Sequence, residues 1–213
     1  MNKGHLIIIS GPSGVGKGTV IKRLMQRHER LRFSVSATTR QMRPGEVDGV
    51  NYYFVTKERF EQMIANDELL EHACYVQNYY GTPEAPLDAM LEQGYDVLVE
   101  VEVQGALQIR KRRPEALLIF IAAPSFAELE RRLRGRGDTA EDKMQKRLQT
   151  ARWEYDMAAQ YDYIVINDTV DAVTDEILAI LTAESCRASN RMQFLKEANE
   201  HALSPDVGAA ETH

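Results

Sequence analysis

The sequence predicts an α/β protein: a parallel sheet with helices on both faces, plus a small mixed insertion and a helical lid. Three observations lead there. Residues 6–9, 96–101, 117–121 and 163–166 are short, almost continuously apolar and rich in Val and Ile, the pattern of strands buried on both faces. Between them, apolar residues recur three or four apart, as on the buried side of a helix. Strands alternating with helices need a parallel sheet, because each crossover lays a helix on a face.

The elements follow in order. Leu6-Ile7-Ile8-Ile9 is the first strand, and a glycine-rich turn leads into a helix marked by Val20, Ile21, Leu24 and Met25, running to about Arg30. Residues 33–82 break the alternation: they are rich in Tyr, Thr and Arg, with strand signals at 52–55 and 69–76 and one helix around 57–65. They form the mixed insertion, bounded at 36–82, on the edge of the main sheet. Leu87, Met90 and Leu91 mark a helix closed by Gly94, and residues 106–113 mark another stopped by Pro114. Residues 126–155 are charged and helical, with Gly135 and Gly137 as a joint, which gives a mobile lid. A last helix, from about 172 to 201, carries Val173, Ile177, Ile180 and Leu181. Residues 202–213 are a disordered tail. Residues 1–35, 83–125 and 156–201 then make the core domain.

Composition narrows the function. The 213 residues carry 26 Lys plus Arg against 32 Asp plus Glu, and 44% are hydrophobic, which suits a globular fold and excludes disorder. A net charge of −6 leaves no general footprint for nucleic acid or an anionic membrane. Any anion site must therefore be local. Two cysteines without metal-ligand spacing indicate a reducing, cytoplasmic compartment. Apolar runs fall far short of the ~20 residues of a membrane span, and the glycine turn at Gly11 leaves no room for a signal peptide.

That local site is legible. Gly11-Pro12-Ser13-Gly14-Val15-Gly16-Lys17-Gly18-Thr19 follows a buried strand and opens a helix, the setting of a phosphate-binding P-loop. Glycines let backbone N–H groups close around a phosphate, the helix N-terminus adds partial positive charge, and Lys17 reaches the β and γ phosphates. The usual Ser or Thr after the lysine, a magnesium ligand, is here Gly18. Thr19 becomes the substitute for phosphate contact, and Mg²⁺ is expected to ride on the nucleotide phosphates.

A second group of residues chooses the second substrate. Ser36-Ala-Thr-Thr-Arg40, Arg43-Pro-Gly-Glu46, Asn51-Tyr-Tyr-Phe54, Glu71, Asn78-Tyr-Tyr-Gly-Thr82 and Arg132-Leu-Arg-Gly-Arg136 occur in this order behind the P-loop. Together they resemble guanylate kinase, from about His5 to Ala183. The resemblance implies that ATP phosphorylates GMP, and also dGMP, giving ADP and the diphosphate. Arg40 and Arg43 suit a phosphate dianion, with the Tyr52 and Tyr80 hydroxyls completing its shell. Guanine offers two adjacent donors and one acceptor; the family pattern assigns Glu71 to the donors, and Ser36 and Thr82 to the remaining edge. Adenine would turn a lone pair toward Glu71. Arg43 and Glu46, read alone, are a solvated surface pair.

Two further groups complete the expected site. Glu100 and Glu102 flank Val101 at a strand's carboxyl end and point the same way. The resembled family often has Asp-x-Asp there; Glu100 is assigned to the metal and attacking-phosphate region, reaching the metal through a water at most, and Glu102 to the guanine amino group. The resemblance makes Arg132, Arg136 and Arg147 the closing arginines, beside Lys17 and Arg40 in catalysis, and places Asn167 against the donor's adenine. Oligomeric state stays open between monomer and homodimer. Two other functions compete: a catalytically silent interaction module of the same family, and a P-loop kinase for another monophosphate.

Overall fold

The computed structural model describes residues 3–135 and 141–203. Arg136 and Gly137 of the expected lid, and residues 204–213 of the expected tail, lie outside them.

The main sheet is parallel and has the order β2-β7-β1-β8-β9, built from β1 (Leu6–Ser10), β2 (Leu31–Phe33), β7 (Asp96–Glu100), β8 (Leu117–Ala122) and β9 (Tyr163–Ile166). Alternate residues of β1 serve opposite faces. Ile7 and Ile9 join Val20 and Leu24 of α1 (Lys17–Arg27) and Ile177 of α7 (Val170–Ser185) in one apolar cluster. Leu6 and Ile8 join Leu87 and Leu91 of α3 (Glu84–Glu92) and Ile109 of α4 (Val103–Arg112) in another. With burial worth roughly 1.5–3 kcal/mol per large apolar side chain, this double covering anchors the sheet. It also fixes the site, since the loops at the carboxyl ends of β1 and β7 open side by side through the register Ile9–Glu100.

A second sheet of order β4-β3-β6-β5 contains β3 (Ala37–Thr38), β4 (Tyr53–Phe54), β5 (Leu69–Tyr75) and β6 (Asn78–Pro83). β3 pairs parallel with β4 and antiparallel with β6. Helix α2 (Lys57–Ala65), N-capped by the Thr56 hydroxyl, covers it with Phe60 and Met63. The Phe60 ring stacks on Tyr79 at 5.3 Å. Helices α5 (Phe126–Arg134) and α6 (Glu141–Met157) follow β8, and a 3-10 turn (Ala158–Gln160) leads to β9. α8 (Ala188–Leu203) ends the described chain.

Several expectations are corrected. β9 is not buried on both faces: Ile164 and Ile166 are 53% and 44% exposed. It is the outermost strand; α7 covers Val165 on one side while, among the described residues, no helix lies over the alternate ones. The single C-terminal helix is two, because the chain turns at Cys186 and Arg187. α1 stops at Arg27, where His28 takes an extended conformation. The short strands β2, β3 and β6 were not separately expected. Among the described residues, no helix is long and apolar enough to cross a membrane.

Candidate active site

The cavity above the main sheet has a volume of about 830 Å³, ample for nucleotide-sized ligands. The P-loop forms its floor. Gly16 has φ of 97° as the N-cap of α1, and a Cβ there would stand 2.7 Å from Asn167 Nδ2; any side chain at this point would be strained and obstructed. Lys17 Nζ donates to the Gly11 carbonyl at 2.7 Å and the Pro12 carbonyl at 3.3 Å, curling back over the loop. Among the described residues no atom lies within 4 Å of a Cβ position at Gly18, so a hydroxyl is missing here for lack of a side chain. Ser13, Gly14 and Thr19 also line the cavity. Val15 does not; it is fully buried in the core beneath.

Ser36, just before β3, and Tyr52, just before β4, form the opposite wall. Behind them Arg40 is held in a fork by Glu46, with Nη1–Oε2 at 3.0 Å and Nη2–Oε1 at 2.7 Å. Its guanidinium lies 5.4 Å from the Tyr52 ring centre, and the Tyr52 and Tyr80 rings meet edge-on at 6.1 Å. Glu46 therefore pairs with Arg40, taking only the backbone N–H of Arg43, at 2.7 Å. The Arg43 side chain is exposed. Of the residues expected at the acceptor, Arg40, Arg43, Glu71, Tyr80 and Thr82 are not among those lining the cavity.

Glu71 on β5 is 7% exposed and accepts the Thr82 hydroxyl of β6 at 2.8 Å. Burial and the charge of Glu102 push its carboxyl up, while the Thr82 hydroxyl and N–H pull it down; the net shift is upward. Gly105, in the first turn of α4, makes room for it, since a Cβ there would come within 2.9 Å of Glu71 Oε2. Glu100 ends β7 and Glu102 is the N-cap of α4; both line the cavity. No group of three or more His, Cys, Asp or Glu among the described residues is arranged to hold a metal ion.

Arg147, on α6, lines the cavity together with Lys146 and Thr150. Arg132, on α5, turns elsewhere. Its Nε bonds Glu128 at 2.7 Å, and Nη1 reaches the Asn167 carbonyl at 3.1 Å and the Val15 carbonyl at 3.4 Å. Asn167 is itself buried, donating to the Val15 carbonyl at 2.7 Å. These two residues brace the P-loop from behind. Arg136 falls outside the described residues.

Sequence alone leaves Glu46 as a surface charge and gives no role to Gly105, Tyr75 or Glu154. Tyr75 and Glu154 both line the cavity. Gly105 carried a signal, the small residue in Glu102-Val-Gln-Gly105, but its use depends on a strand far away in sequence. Glu154 occupies a core-facing position of α6, where periodicity alone predicts an apolar residue.

This geometry sets a glycine-rich cradle opposite a wall that carries Ser36 and Tyr52, with Glu100 and Glu102 beside it. The family model described as Guanylate kinase matches residues 3–184. A guanylate kinase of Thermus thermophilus is 51% identical over 205 residues, covering 96% of this chain and 91% of the relative. That of Desulfitobacterium hafniense is 47% identical over 190 residues, covering 89% and 95%. A crystal structure of guanylate kinase from Anaplasma phagocytophilum superposes with a TM-score of 0.72 at 33% identity, covering 92% and 95% of the two chains. Likeness that runs through cradle and wall alike, over nearly the whole length, leaves one conclusion: the chain belongs to the guanylate kinase family.

Proposed function

We propose that the chain transfers the γ-phosphoryl group of ATP to GMP, giving ADP and GDP, with dGMP as a second acceptor. The observation that carries this reading is one cavity with the P-loop on its floor and Ser36, Tyr52, Glu100 and Glu102 on its walls. Catalysis of this transfer is positioning and charge neutralisation. An oxygen of the GMP phosphate attacks the γ-phosphorus in line as the bond to the ADP oxygen breaks. Lys17 and the P-loop N–H groups hold the donor. Arg40, held ready by Glu46, and Arg43 grip the acceptor phosphate with the Tyr52 and Tyr80 hydroxyls. Arg132, Arg136 and Arg147 bring positive charge to the transferring group. Asn167 supports the adenine end of the donor site.

Base choice rests on Glu71, Thr82, Ser36 and Glu102. An ionised Glu71 accepts guanine's two donors and repels the lone pair that adenine presents. Bound Mg²⁺ would offset phosphate charge, with Glu100 within reach through a water. We also assign residues 36–82 to acceptor binding, residues 126–155 to a closing lid, and the enzyme to the cytoplasm. The test is a coupled ADP-release assay across GMP, dGMP, AMP, CMP and dTMP, with the Glu71→Gln variant beside the wild type. GMP and dGMP should lead in the wild type, and Glu71→Gln should lose at least ~100-fold of the preference for GMP over AMP, given that polar base reading supports ~10⁴-fold discrimination. An unaltered preference in the variant would remove Glu71 from base recognition.

A further inference from the structure

Glu154 belongs to no part of the mechanism above, yet it stands in the donor site. The core-facing residues of α6 are Met144, Leu148, Ala151 and Glu154, so a carboxyl takes the last place in an apolar stripe. It is 7% exposed and lines the cavity alongside Lys17, Glu102, Arg147 and Thr150. Among the described residues, no hydrogen bond or ion pair satisfies it. A buried carboxyl without a partner is costly when charged, so its position asks for a use.

Among the described residues, the charged groups around it come from several elements. Lys17 of α1 favours the ionised form, and Glu102 at the start of α4 opposes it. Glu100 at the end of β7 shares the cavity, as do Lys146 and Arg147 on α6 itself. Tyr161, ahead of β9, feels the Glu154 charge. The Tyr161 hydroxyl and the Ser10 hydroxyl, at the root of the P-loop, are both buried, and Ser10 favours the ionised form of Tyr161. This corner under the cradle is buried and polar.

A nucleotide triphosphate brings several negative charges into the same space. An ionised Glu154 would repel them and compete for the Lys17 ammonium. A protonated Glu154 does neither, and leaves Lys17 to swing from the Gly11 and Pro12 carbonyls to the phosphates. We infer that Glu154 is a positioning residue acting through Lys17: ATP binds to the form carrying a proton on Glu154, and donor binding takes up that proton from solution. The inference rests on the assignment of the P-loop cavity to ATP.

Burial and Glu102 push the Glu154 carboxyl up to about 7 in the free protein, so its proton is at stake in the neutral range. At pH 8 only about a tenth of the free protein is then competent, and apparent affinity falls by that fraction, about tenfold below its acid limit. The experiment is titration calorimetry of a non-hydrolysable ATP analogue with saturating Mg²⁺, in buffers of different ionisation enthalpy, at pH 6 and pH 8. The full-length wild type should take up nearly one proton at pH 8 and bind about tenfold more weakly than at pH 6. Glu154→Gln should take up only the protons that the analogue itself titrates, and should bind equally at both pH values. Equal proton counts, or equal pH slopes, in the two proteins would overturn the inference. Should Glu154→Gln fail to fold, Glu154→Met, which completes the apolar stripe, makes the same comparison. GMP-dependent ADP release by the wild type is scored separately: its presence with equal proton counts removes only the role of Glu154, and its absence removes the kinase reading itself.

Discussion

At Gly105 a single missing methyl makes room for the Glu71 carboxylate, which we propose reads the base. An alanine there would come within 2.9 Å of Glu71 Oε2 and 3.2 Å of Val101 Cβ. Helix propensity favours the substitution by ~1 kcal/mol, and overpacking opposes it by ~1–3 kcal/mol. The two nearly offset, because the close neighbour is the movable end of a side chain. The fold of Gly105→Ala should therefore survive while Glu71 is pushed off the Thr82 hydroxyl. Steady-state kinetics should show the KM for GMP raised about tenfold or more, with the KM for ATP little altered; an unmoved GMP KM would mean that Gly105 does not place Glu71. At this scale the sequence made the P-loop visible, because its glycines and lysine act within nine consecutive positions. It did not disclose which arginine Glu46 reaches, since a carboxylate three residues from Arg43 and six from Arg40 can serve either. Nor did it disclose Glu154, whose buried charge shows only when α6 is laid against the cavity.

Elements were legible in proportion to how much their own residues decide. β1, β7 and β8 are buried on both sides and so read as apolar runs. β2 and β3, of three and two residues, owe their extended form to neighbours in the sheet and leave no pattern of their own. β9 is apolar yet half exposed, because a run of Ile and Val does not tell whether a helix lies over each face. Caps are more local. Thr169, extended in backbone, accepts the Ala172 N–H at the start of α7 through its hydroxyl. Replacing such a cap by alanine costs about 1 kcal/mol, so Thr169→Ala should lower Tm by about 2–4 °C for a chain of this size. Thermal unfolding followed by circular dichroism checks this, and an unchanged Tm would mean that the hydroxyl contributes nothing to the helix start.

Over the whole molecule, stability should peak on the acid side of neutrality. His5 is held above its ordinary value by its bond to Asp96, so its contribution is complete below about 6.5 and fades as pH rises through the raised value. Glu71 and Glu154, pushed up by burial, bind protons more tightly folded than unfolded. Their effect also favours the fold at low pH and weakens it as pH rises, for Glu154 between 4.5 and about 7. That shift corresponds to on the order of 3 kcal/mol. Asp96 and Glu46, held low by their partners, act in the other direction only at more acidic pH. Scanning calorimetry from pH 4 to 9 should therefore find Tm highest near pH 5 and lower by about 5–10 °C at pH 8.5. A Tm that climbs steadily across that range would contradict the buried protons.

The two arginine-bearing helices are not an appendage. Leu129 and Leu133 of α5, with Met144 and Leu148 of α6, belong to the same apolar cluster as Ile7 and Ile9 of the central strand. A segment rooted in this way cannot swing open without wetting the middle of the molecule. The closing movement we propose for it would then be shear, a slide of roughly 1–2 Å along leucine contacts that stay closed, in which the charged ends travel while their roots stay dry.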